Sequence, residues 1–181
     1  MRTGGAILAG GEARRFGSDK AMALFEGRPL VAHIADRLRP RVERLVICGG
    51  EERLAGVRHL PDRPKPGLGP LGGLCAALDD ARHAGIEWVV SVGCDTPVLS
   101  DDLLDQLLNS HARAFVATLP LIGVWPSELA DELAGWLLTD PRRSMRGWAE
   151  RVGARAIEPR DTIANVNTPD DLRRLEARGA R

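Results

Sequence analysis

Three short apolar runs constrain this chain more than any other feature: GAILA at residues 5–9, RLVIC at 44–48 and WVVSV at 88–92. Each has the length of a strand and is almost continuously apolar, where a sheet with one wet face would alternate. Runs of this kind belong to strands covered by helices on both faces, which is the situation of a parallel sheet. The stretches between them carry the helical period instead. Leu30, Val31, Ile34 and Leu38 mark one apolar helix face, and Leu71, Leu74, Cys75, Leu78 and Ala81 mark a second. Ser100 is placed to cap a third helix, with Asp101 and Asp102 in the first turn, where carboxylates favour the helix dipole. Leu103, Leu104, Leu107 and Leu108 supply its buried side.

Further along, a strand is expected at residues 115–117 and a helix at 127–138, carried by Leu129, Leu133, Trp136 and Leu137. Ser144 opens a helix over 144–152, and residues 154–157 return to the sheet. Thr168 caps the last helix, Pro169 takes its first position and Asp171 completes a capping box. The alternation of strands and helices predicts a three-layer, Rossmann-like α/β fold around a mostly parallel central sheet. With 181 residues, no internal repeat and no linker-like stretch, the chain reads as a single domain spanning 1–181.

Composition serves mainly to exclude. Lysine plus arginine balance aspartate plus glutamate at 25 each, so no broad electrostatic pull toward nucleic acid or a membrane is expected. Positive charges can still converge on one site. Cys48, Cys75 and Cys94 are far apart, each within an apolar stretch, which supports buried thiols over a zinc site or a disulfide framework. The N-terminus runs straight into a core strand and no apolar run is long enough to span a bilayer, so a cytoplasmic location is expected.

Four segments carry the chemistry. LAGGEARRFGSDK (residues 8–20) begins where the first strand ends, the edge at which open α/β sheets bind ligands. Gly10 and Gly11 let backbone amides approach phosphate oxygens, Gly17 permits a second tight turn, and Arg14, Arg15 and Lys20 bring positive charge. The spacing matches neither a Walker A motif nor GxGxxG, yet cations and glycines directly after a strand favour phosphate binding. VSVGCDTP (90–97) places Asp95 just beyond a strand. There it can hold a magnesium ion already bridged by nucleotide phosphates, or form an Asx-turn before Thr96 and Pro97.

GLGPLGGL (67–74) offers glycines for close approach to a base or ribose at the start of the following helix. Asp62, just before it, either accepts hydrogen bonds from a base edge or is simply solvated. NVNTPDDL (165–172) has a structural task at its helix start through Asn167 and Thr168, and ligand contact is the competing reading. His33, His59, His83 and His111 fall in none of the four segments, so no histidine is expected to carry chemistry.

Taken in order, LAGGEARRFGSDK, GPLGGL, CDTP and NVNTPDDL resemble the molybdenum cofactor guanylyltransferases, within the larger family of nucleotide-sugar-like nucleotidyltransferases. The resemblance spans residues 8–172. It implies transfer of GMP from GTP to the terminal phosphate of molybdopterin, with release of pyrophosphate and formation of a guanine dinucleotide cofactor. It further implies that Leu8, Ala9, Gly10 and Gly11 line the guanine and phosphate site. Arg15 and Lys20 would bind the phosphates and Asp95 would hold Mg2+. Asp62, Gly69 and Gly72 would lie near guanine and ribose, and Asn165 and Asn167 on the pterin side. Arg15, Lys20 and Asp95 are thus the expected catalytic set. Proteins that deliver the cofactor are further partners the resemblance brings with it.

Two departures stand out. Cys48, Gly49 and Gly50 end the second strand where relatives often carry asparagine, and the connection over residues 115–125 is short. Cytidylyl or sugar-phosphate transfer, or a GTP-binding module without catalysis, are the alternative functions. A dinucleotide-dependent dehydrogenase is disfavoured by the missing GxGxxG.

Overall fold

The computed structural model describes residues 2–9, 23–49, 54–141, 143–160 and 163–179. The three apolar runs form β1 (Thr3–Leu8), β4 (Arg44–Cys48) and β6 (Trp88–Gly93), which lie side by side and parallel, with β1 in the middle. A short strand, β5 (Arg58–Leu60), extends the parallel set beyond β4. On the other side β8 (Leu119–Pro126) pairs antiparallel with β6 and with β7 (Ala114–Val116), and β9 (Arg155–Ile157) runs parallel to β7 at the edge. The full order is β5-β4-β1-β6-β8-β7-β9. A separate small hairpin joins β2 (Leu24–Phe25) to β3 (Arg28–Pro29).

Helices cover both faces, as the continuous apolar character of the strands requires. Ala6 and Leu8 of β1 and Val46 and Cys48 of β4 face the cluster built by α2 (Gly69–His83), α4 (Ala130–Thr139) and α5 (Met145–Arg151). Ile7 and Ile47, one residue out of phase, face α1 (Leu30–Leu38) and α3 (Asp101–Leu108). This is the two-residue alternation of a strand with apolar groups on both sides. In α2, Leu71, Leu74 and Leu78 are all buried, each contributing about 1.5–3 kcal/mol of apolar transfer. A third, smaller cluster of Phe25, Leu30 and Val166 gathers Ala23, Leu172 and Leu175 around it, and so ties α6 (Pro169–Gly179) to the hairpin.

Several elements differ from the sequence reading. Residues 115–125 are a hairpin, β7 and β8 with a tight turn at 117–118, and β8 is inserted antiparallel between β6 and β7. Its run LPLIGVW holds Pro120 and Gly123, which weaken a strand signature. Gly123 is needed because the Trp125 indole lies over it: an added Cβ would sit 2.7 Å from Trp125 Cζ2. Residues 127–129 form a 3-10 turn and α4 begins only at Ala130. Most important for the site, α2 starts at Gly69, with Pro70 in its first turn, so Gly69, Gly72 and Gly73 belong to the helix and not to a loop before it.

Candidate functional site

The site is read at the edge where β1, β4, β5 and β6 end. Their ends are laced together by backbone hydrogen bonds. The Ala9 N–H donates to the Cys48 carbonyl (2.9 Å), Cys94 N–H to the Leu8 carbonyl (3.0 Å) and Gly49 N–H to the Leu60 carbonyl (3.0 Å). Leu8 and Ala9 are buried in this edge, and the Leu8 carbonyl and Ala9 N–H are taken up by these bonds. Gly10, Gly11, Arg14, Arg15, Gly17 and Lys20, which follow directly, lie outside the described residues, as does Gly50.

Asp95 stands two residues past the last residue of β6, partly exposed. Its carboxylate lies over Gly93: a Cβ there would fall 2.5 Å from Asp95 Oδ1 and 2.7 Å from a Leu121 methyl. The Thr96 hydroxyl donates to Asp95 Oδ1 (3.3 Å), and the Thr96 N–H turns back to the Gly93 carbonyl (3.2 Å). Both readings of the residue, turn former and ligand, are therefore compatible with its geometry. Among the described residues no group of three or more His, Cys, Asp or Glu gathers to hold a metal ion. A magnesium ion already carried on nucleotide phosphates needs few protein ligands, so a single carboxylate at this edge suits it.

The loop after β5 forms the second wall. Asp62 is half-buried and packs against α2, where a Cβ on Gly72 would meet Asp62 Cβ and Cγ at 2.9 Å and Leu68 Cβ at 2.8 Å. Gly72 thus serves close packing of the loop on the helix. Burial raises the Asp62 pKa above the ordinary carboxylate value, opposed by the backbone N–H groups of Leu68, Gly67 and Gly69 and by the nearby His59. Its Oδ1 is buried without a hydrogen-bond partner. The adjoining Arg63 ties the loop down twice. Its N–H donates to the Gly72 carbonyl (3.1 Å), and its guanidinium reaches Asp79 of α2 at 2.7 Å.

Asn165 and Asn167 arrive from the C-terminal segment and flank Val166, whose N–H donates to the Asp95 carbonyl at 2.8 Å. The two asparagines are therefore brought beside Asp95, while Gly69 and Gly72 of α2 sit against Asp62 of the preceding loop. Asn165 Oδ1 is buried without a hydrogen-bond partner. Asn167 is exposed, and its N–H donates to Asp171 Oδ2 (3.0 Å). The capping box at Thr168 forms with Asp171 as its acid: the Thr168 N–H and hydroxyl both donate to Asp171 Oδ2 at 2.9 Å. Asp171 N–H returns to the Thr168 hydroxyl at 3.2 Å.

Two ties at this edge have no signal in the sequence. His59 Nε2 lies 2.9 Å from the Gly49 carbonyl and braces the end of β4, a structural role. Val166, an ordinary apolar residue between two asparagines, becomes notable only once its N–H is seen on Asp95. Cys48 and Cys75 are buried, and burial pushes both thiols up, Cys75 to about 11. Cys94 is only partly buried. Among the described residues no helix is long and apolar enough to cross a membrane.

Comparison with known proteins places the chain in a family. The family model of the MobA-like NTP transferase domain matches residues 5–157. A molybdenum cofactor guanylyltransferase of Cereibacter sphaeroides is 42% identical over 188 residues, covering 98% of this chain and 97% of its own. One from Rhodobacter capsulatus is 38% identical over 185 residues, with the same coverage of 98% and 97%. The crystal structure of molybdopterin-guanine dinucleotide biosynthesis protein A from Archaeoglobus fulgidus superposes with a TM-score of 0.74 at 22% identity, covering 99% of each chain. That last likeness is one of fold. On the match over most of its length and on these close relatives, the chain belongs to the MobA-like NTP transferases, the family of the molybdenum cofactor guanylyltransferases.

Proposed function

We propose that this chain transfers GMP from GTP to the terminal phosphate of molybdopterin, with Mg2+ held through Asp95. The observation that carries the reading is the placement of Asp95 at the end of β6. There it sits between the end of β1, where the glycine-rich segment begins, and the Asn165–Asn167 segment. A donor nucleotide along β1 and an acceptor along 165–167 would meet at that carboxylate. The relatives named as guanylyltransferases supply the choice of donor.

In the reaction an acceptor phosphate oxygen attacks the α-phosphorus of GTP in line. A new P–O bond forms, the bond to the β-phosphate oxygen breaks, and pyrophosphate leaves with its electron pair. Two anions approach one another, so alignment and charge neutralisation dominate the barrier. Arg15 and Lys20 would hold the phosphates and offset charge on the α-phosphoryl and leaving groups. Asp62, with Gly69 and Gly72 setting the wall behind it, would face guanine and ribose. Asn165 and Asn167 would hold the pterin. An acceptor phosphate is already ionised near neutral pH, so no general base is needed and no histidine is assigned one. Mg2+, when bound at Asp95, supplies Lewis-acid neutralisation of phosphate oxygens.

The test is GTP titration with Mg2+, with ATP and CTP alongside, followed by GMP transfer to molybdopterin. GTP should bind selectively, and Asp95→Ala should abolish metal-dependent turnover while the fold stays intact. Preference for CTP would overturn the donor assignment, and wild-type rates in Asp95→Ala would remove the metal from that residue.

A further inference from the structure

We infer that Val166 is a positioning residue that locks the Asp95 loop to both flanks of the site. The inference rests on the reading of Asp95 and the two asparagines given above. Val166 belongs to no helix or strand, yet it is only 1% exposed, whereas connecting segments ordinarily run on the surface. Its backbone and side chain are engaged in different directions. The N–H donates to the carbonyl of Asp95 at 2.8 Å, so the backbone bearing the carboxylate is held directly. The side chain enters the cluster of Phe25 and Leu30, against which Ala23 and Leu172 and Leu175 of α6 also pack.

That cluster is braced independently of Val166. Leu30 N–H donates to the Ala23 carbonyl at 3.0 Å, and His33 Nε2 lies 2.8 Å from the Phe25 carbonyl, its ring edge-on to Phe25. Ala23 opens the described chain ahead of the hairpin and follows Lys20 by three residues in the sequence. The capping box at Thr168 and Asp171 holds the other end. One valine therefore connects the β2–β3 hairpin, the Asp95 loop and the asparagines beside it. Because α6 packs through the same cluster, the C-terminal helix acts as a strap on the site.

The test compares Val166→Ala, which keeps the N–H but empties the cluster, with Val166→Ile and with the double variant Leu172→Ala, Leu175→Ala. Two readouts are needed: hydrogen exchange of the 93–97 peptide without ligand, and kcat against GTP affinity. In Val166→Ala the 93–97 peptide should exchange about tenfold faster while β4 and β5 keep their protection. The kcat should fall about tenfold, less than the roughly 100-fold that a 1 Å misplacement can cost, with GTP affinity changed less than threefold. Val166→Ile should restore both, and the double variant should move both in the same direction. Wild-type exchange at 93–97 in Val166→Ala overturns the proposal, as does faster exchange throughout the sheet with no rescue by isoleucine. Exchange needs no turnover, so a wild-type protein that fails to transfer GMP refutes the proposed function and leaves this inference decided on its own.

Discussion

Gly72→Ala separates a packing role for the glycines of α2 from an open approach to ligand. A Cβ at residue 72 would lie 2.8 Å from Leu68 Cβ and 2.9 Å from Asp62 Cβ. Carbon atoms prefer about 3.5–4.0 Å, so the loop must retreat by roughly 0.7 Å at least. Neither neighbour is the free end of a flexible side chain, so rotamer changes alone cannot absorb this. Overpacking of that kind costs about 1–3 kcal/mol, and exchanging glycine for alanine inside a helix returns about 1 kcal/mol. The net destabilisation is therefore about 0–2 kcal/mol, a fall in Tm of at most roughly 8 °C for a chain of this size. The displaced group is Asp62, however, so GTP affinity should weaken about tenfold, or roughly 1.4 kcal/mol, out of proportion to stability. Gly135→Ala is the control, because an added Cβ there meets nothing within 4 Å on an exposed position of α4. It should stabilise by up to about 1 kcal/mol and leave binding unchanged. Thermal melts and GTP titrations on the two variants decide the matter. If Gly72→Ala keeps wild-type GTP affinity, Asp62 does not serve the base.

Other outcomes are equally specific. Ser91 is fully buried, donates to the Leu121 carbonyl at 2.8 Å and accepts from Trp125 Nε1 at 3.0 Å. Ser91→Ala should orphan that indole N–H and cost about 1–3 kcal/mol, seen as a drop in the denaturant midpoint. Lys20→Ala should lower kcat at saturating GTP by roughly 100-fold, and an unchanged kcat would remove Lys20 from the transition state. The Asp171 carboxyl is held below its ordinary value, first by the Thr168 hydroxyl and then by the Asn167 N–H. Its contribution is thus present above the unfolded-state pKa and lost as pH falls through the lower folded one. Asp171→Ala should therefore speed exchange at Asn167 and Thr168 at neutral pH, the gap to wild type closing below roughly pH 4.

Much of the fold was legible because its signals are local. Continuous apolar runs at 5–9, 44–48 and 88–92 require cover on both faces, and the helices between them carry that cover in their own periodicity. The caps at Ser100, Ser144 and Thr168 were equally local, since a hydroxyl two or three residues from an amide needs no distant partner. The chain order of glycine-rich segment, aspartate and asparagine pair also stood in the sequence, and with it the family. What tertiary structure decided is the pairing of distant groups. The place of β8 between β6 and β7 depends on which edge a hairpin meets, and the buried Ser91 and Trp125 that seal it are 34 residues apart. Gly72 looked like room for a ligand, but the loop that fills that room begins ten residues earlier. Val166 had no signal at all, because its worth lies in a backbone bond to Asp95, 71 residues away, and backbone groups are the same in every residue but proline.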